Sequence, residues 1–408
     1  MSEKATTILQ VIPQLESGGA EKTTLEVAEA VIIAGGRAII ATTDGAMISD
    51  AQALGATVVT RNLKTKNPYK LAANATWLSR LVREENVNLI HARSRAPAWS
   101  AERAARANGV PFVTTYHGAY NETSRIKKAY NRIMARGDVV IANSAYISNL
   151  VQSRYATPPD RIRTINRGVD LDAFDPDAVD AKRASAMRAL LGLDATDQRP
   201  LIVHPARLTR WKGQTTVIDA AARLKTDGRP QAVFVLAGHA QGRTAYVDEL
   251  KARLKEHNLS DTVLLPGHIT DIPALLAIAR GVLIASTDPE AFGRTSAEAQ
   301  AMGVPVIATN IGAPRDTVRA SADVAPDETT GWHVPPGDAE ALADALAELL
   351  SLPETAYAAL SQRAMTYARA AFSTRQLQAQ TLAVYDDLLR TSLCSAFSST
   401  KAKASTQT

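Results

Sequence analysis

The chain has 408 residues, of which 46% are hydrophobic and 21% are charged, and its formal net charge is only +5. A single hydrophobic core stops growing at roughly 250–300 residues, so this length predicts two domains. The balanced composition excludes collagen-like, coiled-coil and wholly disordered proteins. The single cysteine, Cys394, excludes a disulfide framework and a cysteine-rich metal site.

The first half of the chain alternates short apolar runs with segments of helical length. We predict strands over residues 7–12, 38–41, 57–59, 89–91, 112–116 and 139–142. Buried strands that alternate with helices are typical of βαβ units and a parallel sheet. Residues 1–170 are therefore predicted to form an N-terminal, Rossmann-like α/β domain.

The same alternation starts again after residue 199. Further strands are predicted over residues 201–204, 232–237, 263–265, 281–285 and 304–308. Residues 200–373 should therefore form a second doubly wound domain, and residues 171–199, rich in Asp, Ala and Pro, a linker. We predict that residues 374–394 form a helix that packs back on the first domain. The Ser-, Thr-, Ala- and Lys-rich residues 395–408 predict a disordered tail.

No targeting or membrane-spanning segment is evident in the sequence. The first four residues are polar, and the most apolar stretch, residues 27–40, is interrupted by Glu29, Gly35, Gly36 and Arg37 and is too short to span a bilayer. We expect a cytoplasmic protein, with peripheral docking on the inner face of the cytoplasmic membrane as a further option.

Positive charge is concentrated between residues 61 and 136, which contain fifteen Lys or Arg and four acidic residues. This excess is larger than that of the whole chain, and it predicts an anionic partner for the first half: a phospholipid surface, a phosphorylated acceptor or nucleic acid. Within residues 123–136, basic and apolar side chains alternate. That pattern is typical either of a solvated helix packed on a sheet or of a helix that lies on an anionic membrane.

Open α/β sheets bind ligands beyond the carboxyl ends of their strands, and residues 286–306 carry the densest set of polar groups at such a place. Glu290 follows a strand, and backbone N–H groups around Phe292 and Gly293 precede a short helix whose N-terminus suits a phosphate. Glu298 lies eight positions after Glu290, so both carboxylates could border one pocket. The alternatives are a surface acid for Glu290 and a helix-capping box, Thr295-x-x-Glu298, for the second glutamate.

Basic residues follow the first strand of the second domain. Arg207 and Lys212 are five residues apart, and two cations at a strand end can hold a diphosphate and stabilise its departure as a leaving group. The alternative is an ordinary solvated loop. In the first domain, Gly18 and Gly19 let backbone N–H groups approach an anion, although a plain turn explains them equally. His117 ends a predicted inner strand and is either a site residue or a structural histidine.

Taken together, these motifs resemble those of the retaining glycosyltransferases of family 4, over nearly the whole chain. The resemblance implies the GT-B fold, in which two Rossmann-like domains face each other across a cleft. It implies that Glu290 contacts the hydroxyls of the donor sugar, Glu298 contacts the nucleotide ribose, and the backbone of residues 291–294, which include Arg294, contacts the sugar and phosphate.

The resemblance extends to other positions. It implies that Arg207 and Lys212 hold the diphosphate, that the Gly18-Gly19 loop approaches the donor phosphate, and that His117 lies beside the reacting sugar. Arg93 stands where the family commonly has a histidine. The basic residues assigned to the acceptor side are Arg93, Arg95, Lys127 and Lys128.

The sequence therefore predicts a retaining glycosyltransferase that moves a sugar from a nucleoside diphosphate donor to a glycan or glycolipid, as in the synthesis of lipopolysaccharide or another cell-surface polysaccharide. No Asp-x-Asp pair stands at a strand end, so we expect no catalytic metal and no cofactor. We expect no nucleic-acid partner either. Two alternatives remain: a sugar-nucleotide epimerase with two similar domains, and a nucleic-acid-binding protein that uses the basic first half.

Overall fold

The computed structural model describes residues 5–16, 18–194 and 196–404. It divides into two compact units, one made of the chain up to Gly168 together with the chain from Thr374 onward, and the other of Val169–Ser373. The predictions for the polar first four residues, for Ser17 in the glycine loop and for residues 405–408 of the tail lie outside the described residues.

The first unit is built on a seven-stranded sheet in which every neighbouring pair is parallel. Its strands are β1 (Thr7–Val11), β2 (Arg37–Thr42), β3 (Thr57–Thr60), β4 (Leu89–Ala92), β5 (Phe112–Tyr116), β6 (Val139–Ala142) and β7 (Ile162–Thr164). The helices between them are α1 (Gly19–Ile33), α2 (Ile48–Ala53), α3 (Pro68–Glu84), α4 (Arg95–Asn108), α5 (Arg125–Asn131) and α6 (Ala145–Tyr155). The strand order is β3-β2-β1-β4-β5-β6-β7, which is that of a doubly wound sheet.

The second unit has a six-stranded parallel sheet. Its strands are β8 (Leu201–Val203), β9 (Val233–Ala237), β10 (Val263–Gly267), β11 (Gly281–Ile284), β12 (Val306–Thr309) and β13 (Gly331–Val334). Its helices are α7 (Ala181–Leu190), α8 (Gln214–Thr226), α9 (Thr244–Glu256), α10 (Ile272–Ala277), α11 (Arg294–Ala301), α12 (Pro314–Thr317), α13 (Ala339–Ser351) and α14 (Glu354–Ala371). The order β10-β9-β8-β11-β12-β13 repeats the doubly wound arrangement, so the prediction of two such domains is confirmed.

Two helices complete the first unit: α15 (Thr374–Leu389) and α16 (Leu393–Ala404). Helix α15 packs against α1, and Tyr385 is fully buried in the same core as Val27 and Val31. The predicted disordered tail is wrong over residues 395–404. Its composition is polar, but Leu393 and Phe397, with 5% and 1% of their surfaces exposed, give one face of α16 an apolar anchor.

The predicted linker over residues 171–199 is also wrong, because the described part of this segment belongs to the second unit. Met187 on α7 and Leu191 just beyond it are buried in the core of that unit. Strands β7 and β13 are not predicted from the sequence. Each lies at the edge of its sheet and is only partly buried, so neither presents a continuous apolar run.

Among the residues that the structure describes, no helix combines the length and the apolar character needed to cross a lipid bilayer.

Candidate functional site

An ion pair connects the ends of two neighbouring strands in the second unit. From β8 the chain winds outward through β9 and β10, then crosses to β11 on the opposite side of β8. Ligands of doubly wound sheets bind at such a switch point, outside the carboxyl ends of the strands. Lys212 follows β8 and Glu290 follows β11, and Lys212 Nζ lies 2.7 Å from Glu290 Oε1. The structure thus brings together two residues that the sequence analysis singled out.

The backbone around Lys212 is fixed by the end of β11. A single turn of 3-10 helix, Arg210–Lys212, ends at Gly213, whose φ is +74°. A Cβ at Gly213 would lie 1.9 Å from the carbonyl oxygen of Ala285, so only glycine allows this approach. The N–H of Thr287 also donates to the carbonyl of Trp211 at 2.8 Å. These contacts hold Lys212 beside the loop that carries Glu290.

Glu290 is held through both its side chain and its backbone. Oε1 accepts hydrogen bonds from Lys212 Nζ and from the hydroxyl of Ser286. The carbonyl of Glu290 accepts from the N–H of Ala313 at 2.9 Å, and its backbone pairs with Gly312 in an isolated parallel bridge. The Glu290 side chain is 13% exposed and that of Lys212 is 15% exposed, so the pair is partly shielded from solvent but remains accessible.

The contacts leave hydrogen-bonding capacity at both ends of the pair. No described residue donates to Glu290 Oε2, so this oxygen can accept hydroxyl hydrogen bonds from a ligand. An ammonium carries three N–H donors, so Lys212 can keep its contact with Glu290 and still donate to an anion. The arrangement therefore suits a ligand that carries both hydroxyl groups and negative charge.

Arg207 lies on the same loop as Lys212, and its side chain is exposed. Its carbonyl accepts a hydrogen bond from Gln214 Nε2 at 2.9 Å. Within the described residues its guanidinium forms no ion pair, in contrast to that of Arg210, which pairs with Glu249 and lies over the ring of Tyr246. Arg210, which has no assigned role in the sequence analysis, thus has a structural one.

Helix α11 begins at Arg294, with Gly293 as its N-cap residue at φ +76°. The capping box with Thr295 as the cap is therefore wrong, because Thr295 already lies inside the helix. Glu298 is half-buried on this helix. The ring of Phe292 is 3% exposed and packs edge-on against Phe372, with 5.6 Å between ring centroids. Phe292 can therefore contribute only its backbone to a ligand.

In the first unit, the structure brings the glycine loop, His117 and Arg167 together. Gly18 is the N-cap residue of α1, and Gly19 is the first residue of the helix. A Cβ on Gly19 would lie 2.0 Å from Arg167 Nη1. Arg167 Nη2 is in turn 3.3 Å from His117 Nδ1. Burial, and then the positive charges of Arg167 and Arg93, hold the pKa of His117 well below its usual value, so its imidazole is neutral at pH 7.

Arg93 is buried within the first unit, with 2% of its surface exposed. Its guanidinium donates to Gln10 Oε1 from Nε at 2.8 Å and contacts the hydroxyl of Thr115. Burial lowers the pKa of Arg93 to about 10, which leaves it charged at pH 7, and the negative charge of Glu26 opposes that shift. An acceptor could reach this guanidinium only if the surrounding side chains moved.

The other residues assigned to the acceptor side lie nearer the surface of the first unit. Arg95 donates to Asn131 Oδ1 at 2.8 Å and stacks on Tyr120. Lys127 and Lys128 are exposed on α5, next to Ile126, of which 83% is exposed. Helix α5 therefore presents an apolar side chain among cations, whereas Arg93 belongs to the interior.

Two residues to which the sequence assigns no individual role lie in contact with predicted site residues. Ser286 donates to Glu290, and Arg167 contacts His117. Each follows the end of a strand, β11 and β7, and that position is the signal that could have identified them. No group of three or more His, Cys, Asp or Glu side chains suited to a metal ion occurs in the described part of the chain.

Comparison with known proteins identifies the class to which these two units belong. Residues 17–173 match the family model described as Glycosyltransferase Family 4, and residues 193–369 match the model described as Glycosyl transferases group 1. A crystal structure of a glycosyltransferase from Rickettsia africae ESF-5 is 32% identical, with a TM-score of 0.86 over 96% of this chain and 100% of that one. The fold is that of the GT-B glycosyltransferases, and the chain belongs to their family 4, group 1.

The sequence similarity to curated relatives covers only part of each protein. The D-inositol 3-phosphate glycosyltransferase of Jonesia denitrificans is 29% identical over 245 residues, which are 55% of this chain and 56% of that protein. The lipopolysaccharide core biosynthesis mannosyltransferase LpsB of Rhizobium meliloti is 31% identical over 261 residues, or 63% of this chain and 68% of that protein. The chain thus spans little more than half the length of the inositol phosphate enzyme.

Proposed function

We propose that this protein is a retaining glycosyltransferase that moves a sugar from a nucleoside diphosphate sugar to a glycan or glycolipid acceptor, without a metal ion. The observation that carries the proposal is the Lys212–Glu290 pair at the switch point of the second sheet. Family membership supports glycosyl transfer over epimerisation. A donor sugar nucleotide combines hydroxyl groups with a diphosphate, which is the combination that this pair suits.

In this proposal the second unit holds the donor. Lys212 and Arg207 contact the diphosphate, whose negative charge increases as the sugar leaves. Fixed cations stabilise such a transition state more than the ground state, so they raise turnover as well as affinity. They would also supply the charge compensation for which other transferases use a divalent cation.

Glu290 orients the sugar in this proposal. Because Oε1 is occupied by Lys212 and Ser286, Oε2 is the oxygen that accepts the sugar hydroxyls. The backbone N–H groups at Gly293 and Arg294, at the start of α11, contact the phosphate, where the positive end of the helix dipole favours an anion. Glu298 on the same helix contacts the ribose. In the first unit, the proposed substrate-binding residues are Gly18, Gly19 and His117.

For the acceptor we propose a lipid-linked glycan at a membrane surface. LpsB acts in lipopolysaccharide core biosynthesis, as its name states. Helix α5 combines Lys127 and Lys128 with the exposed Ile126, and each basic residue near an anionic bilayer contributes about 1 kcal/mol. The protein would then bind peripherally at the inner face of the cytoplasmic membrane, where Arg95, Lys127 and Lys128 face the anionic acceptor.

A thermal-shift comparison of UDP-, GDP- and ADP-sugars tests the donor. At 100 times its dissociation constant, a ligand stabilises the folded state by about 2.7 kcal/mol, so one nucleotide series should raise the melting temperature clearly. Lys212→Met should abolish that rise, whereas the matched Arg210→Met should keep it. If no sugar nucleotide stabilises the wild-type protein, the donor assignment is wrong. If the bound donor is epimerised without any acceptor, the protein is an epimerase.

A further inference from the structure

Arg167 lies between the glycine loop and His117. Its Nη1 occupies the space beside Gly19, where a Cβ would lie 2.0 Å away, and its Nη2 is 3.3 Å from His117 Nδ1. Outside the chain neighbours and the backbone of α1, the three heavy atoms nearest to that Cβ position belong to the Arg167 guanidinium. The absence of a side chain at position 19 therefore gives the guanidinium its place next to His117.

The direction of this hydrogen bond fixes the proton on the imidazole. A guanidinium has N–H donors and no acceptor, so His117 Nδ1 must be the acceptor. A neutral imidazole has one proton, which must then be on Nε2. Nε2 is buried and has no hydrogen-bond partner among the described residues. Because a buried N–H without a partner is costly, an acceptor atom of a ligand at this position would be favoured.

We propose that Arg167 is a positioning residue that holds His117 in the neutral tautomer with its proton on Nε2, and that Gly19 provides the space for it to do so. His117 then offers a ligand a hydrogen-bond donor and does not act as a base through Nδ1. That this ligand atom is an oxygen of the donor sugar rests on the function proposed above. The tautomer itself does not depend on that function.

The charges around His117 favour the neutral ring at physiological pH. Arg167 and Arg93 are both cationic, and His91, on the neighbouring strand β4, is itself neutral because burial lowers its pKa. A cavity of about 10 Å³, room for about one water molecule, adjoins His117 and is also lined by Arg93, Thr115 and Asn143. No carboxylate lines this cavity, so none of its lining groups would favour a second proton on the ring.

The test is a two-bond ¹H–¹⁵N correlation spectrum of the full chain with ¹⁵N-labelled histidine. The signals of His117 are identified by their loss in His117→Gln. In the wild-type protein we expect an unprotonated Nδ1 and a protonated Nε2 between pH 6.5 and 8. In Arg167→Met, the two ring nitrogens should move toward averaged shifts, and the pKa of His117 should rise because the nearest cation is gone. Arg163→Met, an exposed arginine on β7, is the matched control and should leave the spectrum unchanged.

Two glycine variants give the same test without altering any hydrogen-bonding side chain. The Cβ of Gly19→Ala displaces the guanidinium, so this variant should reproduce the spectrum of Arg167→Met. Gly18→Ala is its control, because a Cβ there meets the carboxylate of Glu21 at 2.2 Å instead of Arg167. A protonated Nδ1 in the wild-type protein, or an unchanged spectrum in both Arg167→Met and Gly19→Ala, would overturn the proposal. The spectra require no turnover, so a failure of the proposed transfer activity would show separately, as the absence of nucleoside diphosphate release.

Discussion

Lys212 Nζ and Glu290 Oε1 lie 2.7 Å apart although the two residues are 78 positions apart in the chain. The pair joins the loops that follow β8 and β11, the two strands between which the second sheet changes direction. Each partner keeps hydrogen-bonding capacity for a ligand, Lys212 through its other N–H groups and Glu290 through Oε2. This relationship underlies the proposal that one site holds both the diphosphate and the sugar of the donor.

Replacing the lysine of this pair should reduce turnover and donor affinity together. In Lys212→Met we expect kcat/KM to fall by roughly 100-fold or more, which is typical of the loss of one group that stabilises a departing anion. Steady-state kinetics with a saturating acceptor measure the effect. Arg210→Met changes a cation in the same helical turn that pairs with Glu249 instead, and its kinetics should stay close to wild type. Equal losses in both variants would contradict the assignment.

Much of the fold could be predicted because buried parallel strands leave a strong signal. Strands β1, β5 and β9 are fully buried, and their runs of apolar and β-branched residues between helical segments predict each of them. Strands β7 and β13 lie at sheet edges, where half-exposed residues replace the apolar run. Helix α16 is not predicted from the sequence because its composition is polar. Two buried side chains, Leu393 and Phe397, anchor it.

The site was predictable where a motif carries its own chemistry. Glu290, Lys212 and His117 are predicted site residues because they follow strand ends, and the structure places Lys212 in contact with Glu290. The position of Arg167 and Ser286 after strand ends makes them candidates, but their contacts with His117 and Glu290 are evident only in the three-dimensional structure. The burial of Arg93 could not be predicted either. It lies in a basic segment typical of a surface, and its contacts with Gln10 and Thr115 are known only from the structure.

Acidification should destabilise the protein below about pH 6.5. Burial is the largest cause that lowers the pKa of His91, His117 and His204 below 6.5, so the unfolded chain binds more protons than the folded one. Their contribution to stability is full above pH 6.5. As the pH falls toward each folded-state pKa, it is lost at about 1.4 kcal/mol per pH unit for each group.

Urea unfolding at pH 7.5 and 5.5, at constant ionic strength, measures this loss as a lower midpoint at pH 5.5. Carboxylates with lowered pKa values, such as Asp197 at about 2, stay charged across this window and do not mask the effect. An equal or higher midpoint at pH 5.5 would show that these histidines are not buried in the neutral form.

Helix α16 should contribute to the stability of the first unit. Phe397→Ala removes a ring that is 1% exposed and lies beneath the guanidinium of Arg375, and loss of a buried phenylalanine costs about 3–5 kcal/mol. Denaturant unfolding measures this change. Ser399→Ala, on the exposed side of the same helix, should change stability by less than about 0.5 kcal/mol. If Phe397→Ala has no effect, this segment does not pack on the core.

Helix α5 should bind anionic membranes in a salt-dependent way. The wild-type protein should float with vesicles that contain an anionic phospholipid at low salt and should be released at high salt. The double variant Lys127→Glu, Lys128→Glu should float much less. Lys251→Glu, Lys255→Glu, on the exposed face of α9 in the second unit, applies the same charge change elsewhere and should float normally. Flotation that is absent or insensitive to salt would rule out this docking surface.

Glu290→Gln tests the central claim most directly, because it keeps the shape of the side chain and removes its charge. Once a donor is identified, nucleoside diphosphate release and the glycosylated product are measured for the wild type, for this variant and for Glu354→Gln, a control at a glutamate whose side chain is 83% exposed. We expect acceptor-dependent release with retained anomeric configuration in the wild type and the control. In Glu290→Gln we expect kcat to be lower by orders of magnitude, with an unchanged melting temperature. Near-normal turnover in Glu290→Gln, or a product of inverted configuration, would contradict the account.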